Sequence, residues 1–271
     1  MLPLRTYART ALALLTGERC VVCGDVLAGA GICPKCLLQL PFANIRGATG
    51  NPIERLFWGV VPIVRANALL TYHPGDSVEP IIHAIKYRGR SDLAVDMGRH
   101  MAQELLATGF FDGIDYLQPV PLHPHRQRTR GYNQSERLAR GISELTGIPI
   151  ADFVRRTKDN KSQTKMAHEE RQENVSGIFE VNTDELRAKH PKHILFIDDV
   201  VTTGSTIISY MKAATGTTEA PSISMSSFRV SVLALAFAGQ LHVGRLFTQD
   251  VGLDDATVSN SEFRERQYAS L

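Results

Sequence analysis

Several features are scarce in this sequence, and each shortage excludes something. No apolar run is long: the longest, Val232 to Ala238, falls far short of the roughly 18–20 residues a membrane span needs. Neither sign of charge is in excess, since 30 Lys and Arg face 28 Asp and Glu for a net of +2. A chain-wide electrostatic case for nucleic acid is therefore absent, and any polyanion contact must be local. There is one tryptophan, and Tyr132 alone interrupts the arginine-rich segment as an aromatic, fewer than a platform for stacking unpaired bases usually needs. Internal repeats and low-complexity stretches are missing. Cysteine is absent everywhere except between Cys20 and Cys36, where all four fall.

The composition that remains is globular, with 43% hydrophobic and 21% charged residues. A chain of 271 residues can bury a real core as one large domain or two small ones. Arg5 and Arg9 before Ala11-Leu12-Ala13-Leu14-Leu15 faintly resemble a signal peptide. The apolar run is shorter than the usual 7–15 residues, and no small-residue cleavage site follows. An amphipathic N-terminal helix is the better reading, and a cytoplasmic location is expected.

Residues 1–60 read as this helix, the cysteine cluster and a linker rich in Gly, Pro and Asn (Arg46 to Pro52). Residues 61–240 alternate apolar runs with amphipathic segments. Strands are predicted at Ala66–Tyr72, Ile114–Val120, His193–Ile197 and Val230–Ala236, and helices at Val78–Lys86, Leu93–Ala107, Gln134–Thr146 and Thr206–Ala214. Strands separated by helices predict an α/β domain with an open, largely parallel sheet flanked by helices. Residues 241–271 lose all periodicity and are expected to form a flexible tail. Charge is uneven: Pro119 to Asn174 carries eleven basic and seven acidic residues, so this block is the polyanion-facing candidate.

Cys20-x2-Cys23 and Cys33-x2-Cys36 form two knuckles separated by nine residues. Each turn aims two thiolates at one point, and together they complete a tetrahedral four-sulfur site suited to structural Zn2+. Disulfides fit a cytoplasmic protein poorly, and a redox Cys-x-x-Cys needs no second copy. With every position filled by thiolate, no place remains for a reactive water.

The sharpest signal is His193-Ile-Leu-Phe-Ile-Asp198-Asp199-Val-Val201-Thr202-Thr203-Gly204-Ser205-Thr206. An apolar strand ends in two carboxylates, then a turn of small and hydroxyl residues, then a helix. In open α/β sheets ligands sit beyond the carboxyl ends of strands. Backbone N–H groups at such a helix start suit a phosphate. Adjacent carboxylates repel phosphate but accept hydrogen bonds from sugar hydroxyls, so a ribose 5′-phosphate is the implied ligand. Capping of an ordinary turn explains one carboxylate and one hydroxyl, not the whole run. This stretch resembles the 5-phosphoribosyl-1-pyrophosphate (PRPP) signature of type I phosphoribosyltransferases. The resemblance implies that Asp198 and Asp199 hold the ribose hydroxyls. It also implies that Val201, Thr202, Thr203, Gly204, Ser205 and Thr206 wrap the 5′-phosphate, with Mg2+ arriving on the pyrophosphate.

Upstream, Pro119-Val-Pro-Leu-His123-Pro-His125-Arg126-Gln-Arg128-Thr-Arg130-Gly131-Tyr132-Asn133-Gln134 brings three arginines, whose forks match phosphate oxygens, after prolines that stiffen the strand exit. Gly131 is expected to open a helix with Asn133 as N-cap. A solvated basic loop is the plain alternative; His-Pro-His supplies no complete metal-ligand set. Together with Lys86-Tyr87-Arg88-Gly89 and Gln163…Arg171…Asn174…Phe179, these segments resemble the ComF family of competence-associated phosphoribosyltransferase-like proteins. They do so in the family's order, over roughly residues 18–237. The resemblance implies a type I phosphoribosyltransferase fold with an N-terminal zinc knuckle. Lys86, Arg126 and Arg130 would stabilise the departing pyrophosphate, and Gln163, Arg171 and Asn174 would lie on a loop that closes over substrate. It further implies a link to DNA uptake, with single-stranded DNA and a competence helicase or other DNA-processing protein as partners. Thr215–Arg229, read as a loop, and the tail beyond Gly239 depart from the family pattern. Three readings stay open: a transferase, a single-stranded-DNA binder, and a PRPP-responsive regulator without turnover.

Overall fold

A computed structural model describes residues 17–27, 31–156, 179–215 and 228–239. The N-terminal helix, the tail, and Gln163, Arg171 and Asn174 lie outside the described residues. Those described fall in two compact units, one within the first 40 residues and the other Pro41–Gly239. No helix among the described residues is long and apolar enough to cross a membrane.

The first unit is a pair of turns closed by an antiparallel bridge between Arg19 and Val26 and followed by a short helix, α1 (Pro34–Leu38). Gly24, at φ +79°, makes the first turn, and Pro34 opens α1 at a position where its missing N–H costs nothing.

The second unit is built on a four-stranded sheet. Its strands are β1 (Ala66–Thr71), β2 (Tyr116–Pro119), β5 (His193–Val201) and β6 (Arg229–Phe237), in spatial order β1-β6-β5-β2. Every pair is parallel. The central strands are almost entirely buried, as helices on both faces require. Hence their near-continuous apolar sequences. A separate antiparallel ribbon, β3 (Val154–Arg156) with β4 (Phe179–Val181), has strands too short for periodicity to reveal. The helices are α2 (Pro52–Arg55), α3 (Glu79–Tyr87), α4 (Ser91–Leu106), α5 (Pro124–Arg130), α6 (Gln134–Thr146), α7 (Thr183–Lys189) and α8 (Ser205–Thr215).

Three features depart from expectation. β5 continues four residues past Ile197, pairing Asp198 with Ala234 and Val201 with Phe237. The acid pair therefore sits within extended backbone, because β6 is long enough to carry the ladder to its end. The basic segment is a helix, not a loop. His123 Nδ1 accepts from His125 N at 3.2 Å, Pro124 occupies the first turn, and Gly131 at φ +82° ends it. Gly131 thus closes one helix instead of opening the next, while Asn133 caps α6 as expected, Oδ1 accepting from Ser135 N at 3.0 Å.

Residues 46–52, read as a linker, are anchored. Buried Asn51 donates through Nδ2 to Ala48 O and Ala66 O, both at 2.8 Å, and its Oδ1 caps α2. Glu54 Oε1 accepts from Ala66 N at 3.2 Å. These side chains satisfy the start of β1, and Pro41–Ala43 bond Leu69 and Thr71 further along it. An edge left bare would invite another strand.

Helices α4 and α6 pack with backbones almost touching. A Cβ at Gly98 would stand 2.1 Å from Leu138 O, and one at Gly141 would stand 2.0 Å from Val95 O. Tyr132, just before α6, donates its hydroxyl proton to Ile85 O in α3, fixing the basic helix's exit against the helix that carries Lys86.

Candidate functional site

The site gathers at the carboxyl end of β5. Lys86, in the last turn of α3, places Nζ 3.1 Å from Asp199 Oδ2. Asp198 Oδ1 turns back to accept from Asp199 N at 2.8 Å. Both aspartates are buried. Burial, and then the charge of Asp199, pushes Asp198 up to about 7, against the opposing pull of Lys86 and Arg156. Two carboxylates this close cannot both ionise cheaply.

After Val201, whose carbonyl accepts from Ala238 N at 2.9 Å, Thr202 and Thr203 are exposed. Gly204 then turns into α8 at φ +70°. A Cβ there would meet the ring of fully buried Phe57 at 2.8 Å, so only glycine fits between that ring and the turn. Ser205 and Thr206 open α8, whose first N–H groups have no partner within the helix. Small residues, hydroxyls and a helix start thus follow one another here, a combination suited to an oxyanion.

The basic helix α5 meets the same elements. The Arg130 guanidinium lies 5.1 Å over the ring of Tyr87, the neighbour of Lys86, and its Nη1 donates to Gln134 Oε1 at 3.1 Å. Arg130 is thus held against α3, the helix that carries Lys86. Arg126 is half-buried on the same helix, and Arg128 is exposed. Sequence reasoning passed over Phe57, Tyr87 and Arg156 as site residues. Phe57 had no signal. Tyr87 stood beside Lys86, and Arg156, whose charge acts on Asp198, was one arginine in a basic block.

The raised Asp198 has a consequence for stability. The folded protein holds this proton between roughly pH 4 and 7 while an unfolded aspartate loses it. Stability is therefore lost as pH rises through that window. Asp198→Asn removes the penalty, so its melting temperature should exceed wild type at pH 8 by more than at pH 4. Equal differences at the two pH values, measured by differential scanning fluorimetry, would show that Asp198 ionises freely.

In the first unit the sulfurs of Cys20, Cys23, Cys33 and Cys36 all lie within 4.8 Å of one another. Cys23 Sγ and Cys33 Sγ are 3.8 Å apart, close to the edge of a tetrahedron with about 2.3 Å metal–sulfur bonds. Cys33 N donates to Cys20 Sγ and Cys36 N to Cys33 Sγ, each at 3.4 Å. Burial alone would raise Cys20, but N–H bonds from Cys23, Cys33 and Val22 outweigh it and bring the thiol down to about 6. Burial, then the neighbouring thiols, pushes Cys36 up. Four thiols in this arrangement can hold a metal such as zinc.

Comparison with known proteins agrees with this architecture. Over 204 residues the chain is 29% identical to the DNA utilization protein YhgH of Escherichia coli K12, covering 73% of this chain and 85% of that protein. It is 33% identical over 90 residues to competence protein F of Haemophilus influenzae, 33% of this chain and 39% of that one. With competence protein ComFC of Bacillus subtilis it shares 24% identity over 200 residues, 73% and 72% of the two chains. The family model PRTase-CE matches residues 83–243, more than half of the sequence. Built on a parallel sheet with four clustered cysteines ahead of it, the chain belongs to this phosphoribosyltransferase-like family and, with these relatives, to the ComF group.

Proposed function

We propose that the α/β unit binds PRPP and transfers its phosphoribosyl group with release of pyrophosphate, in a cytoplasmic process serving DNA utilization or uptake. The observation that carries this reading is the buried Asp198–Asp199 pair, held by Lys86 directly before the Gly204 turn. In the transfer, the anomeric carbon–oxygen bond breaks toward pyrophosphate and an acceptor's lone pair closes on the same carbon. Such chemistry asks the protein for positioning and charge stabilisation. Asp199 and Asp198 accept the ribose hydroxyls. Val201–Thr206 enclose the 5′-phosphate, and Lys86, Arg126 and Arg130 face the departing pyrophosphate. With Asp199 already paired and Asp198 buried, the pair makes no cage for a cation. Mg2+ would come on the pyrophosphate oxygens, and Zn2+ would fill the thiol cluster with a structural role.

Calorimetric titration with PRPP and Mg2+ should show binding, and Asp199→Asn should reduce affinity at least about tenfold, the loss of a charge-assisted contact. Absence of PRPP binding by wild type would end this reading. Pyrophosphate release measured alongside separates a transferase from a PRPP-responsive regulator. A second reading, single-stranded DNA as ligand, draws support from the relatives' names and from three arginines on the seven residues of α5. It requires affinity that falls with salt and with Arg128→Ala.

A further inference from the structure

Away from the acid pair, a cleft of about 310 Å³ runs along the solvent side of the α4–α6 pair. Residues one helical turn apart share a face, and both helices present basic side chains to it. α4 contributes Ser91, Asp92 and Arg99, and α6 contributes Arg137, Arg140 and Glu144. The glycine contact at Gly98 and Gly141 brings the backbones together and so converges these side chains.

The acids there are already engaged. Asp92 is held by Arg90 through Nε at 3.0 Å and Nη2 at 2.8 Å. Arg99 Nη2 lies 2.7 Å from Glu144, whereas Arg140 approaches the same carboxylate only to 3.9 Å. Arg137 has no carboxylate partner among the described residues. Its guanidinium lies 5.9 Å over the ring of Tyr132, and its Nε is buried without a hydrogen-bond acceptor. Arg137 as a whole is only half-buried, so the outer nitrogens of its guanidinium can meet an acceptor that enters the cleft.

We infer that this cleft is a second oxyanion site, taking a phosphoryl group through Arg137 and Arg140 with the Ser91 hydroxyl beside them. Two guanidinium forks one turn apart match the several oxygens of a phosphoryl group. The volume, at the small end of ligand clefts of about 300–1,000 Å³, leaves room for a sugar attached to it. The ligand is thus a phosphoester, supplied either as a mononucleotide or as one backbone phosphate of a polynucleotide. This site is independent of the PRPP reading.

The test uses the full chain, with dTMP and inorganic phosphate by calorimetry and a fluorescent oligothymidylate by anisotropy across a salt series. Arg137→Gln and Arg140→Gln should each weaken binding about tenfold and lower the oligonucleotide salt slope by about one. The Mg2+-dependent PRPP binding that Asp199→Asn weakens should be unchanged. Loss for dTMP and oligonucleotide alike assigns a phosphoester site, loss for the oligonucleotide alone assigns a backbone phosphate, and loss for inorganic phosphate alone overturns the phosphoester assignment. Unchanged affinity for all three in Arg140→Gln overturns the site altogether. So does an equal loss of dTMP and oligonucleotide binding in Asp199→Asn, which would put the phosphate at the Gly204 turn. Arg140 is exposed, so its variant decides the matter even if Arg137→Gln fails to fold.

Discussion

Gly141→Ala should destabilise the α/β unit by more than the about 1–3 kcal/mol of ordinary overpacking, enough to take much of a domain's net stability. The new methyl would lie 2.0 Å from Val95 O and 2.8 Å from Arg99 N. Those are backbone atoms of a helix in regular hydrogen bonding, not the end of a side chain that can swing aside. The two helices would have to separate along their whole contact, exposing Leu93, Met97, Met101, Leu138 and Ile142, all at most 1% accessible. Gly98→Ala meets Leu138 O at 2.1 Å and should cost comparably. Because both glycines lie in one contact, the double variant should cost less than the sum. Gly147→Ala is the control: its φ of +72° strains alanine, but nothing lies within 4 Å, so the loss should stay near the about 1–2 kcal/mol of a left-handed residue. Urea unfolding monitored by circular dichroism would read all four. A Gly141→Ala loss no larger than that of Gly147→Ala would mean that the helices can move apart without penalty.

That glycine contact also marks where sequence reasoning stops. A glycine inside a helical pattern reads only as a propensity cost, and nothing in one sequence reveals which partner backbone it admits. The apolar cores of β5 and β6 were legible because burial on both faces demands continuous hydrophobic runs. The extension of β5 through Asp198 to Val201 was not. Two carboxylates look like the end of a strand until Lys86 and a long β6 are seen to support them. The basic segment carried a readable start, Pro124 behind a possible cap, and a readable stop at Gly131, yet the three arginines read as an anion site on the strand exit and Gly131 as the start of the next helix. Asn51 shows the same bias from the other side. Surrounded by Gly and Pro it resembles a linker residue, but its amide has four bonds to make, and β1, α2 and the neighbouring Ala48 carbonyl supply them. Local composition predicts exposure, whereas partners contributed from far along the chain decide burial.

The largest loss is expected in the first unit on removing metal. Among its described residues this cluster packs Leu27, Val22 and Ile32 around Cys20, Cys33 and Cys36, little apolar surface to offset the ordering of the turns at about 1–2 kcal/mol per residue. A metal held by the thiol cluster would supply the difference, structural zinc contributing an apparent energy of about 10–16 kcal/mol in zinc-finger peptides. Treatment with a high-affinity chelator should therefore release close to one zinc per chain. It should also make all four cysteines reactive to a thiol reagent and open the segment around residues 17–40 to protease. Cys36→Ser and Cys20→Ser should reproduce that opening without chelator, because each removes a buried ligand. The α/β unit has its own core and should retain its cooperative unfolding. PRPP titration of the chelated protein then asks whether the two units act separately. No metal in the purified, reduced protein, together with protease resistance that chelator does not alter, would refute a metal-held unit and leave the packing of Cys20, Leu27, Cys33 and Cys36 to account for its order.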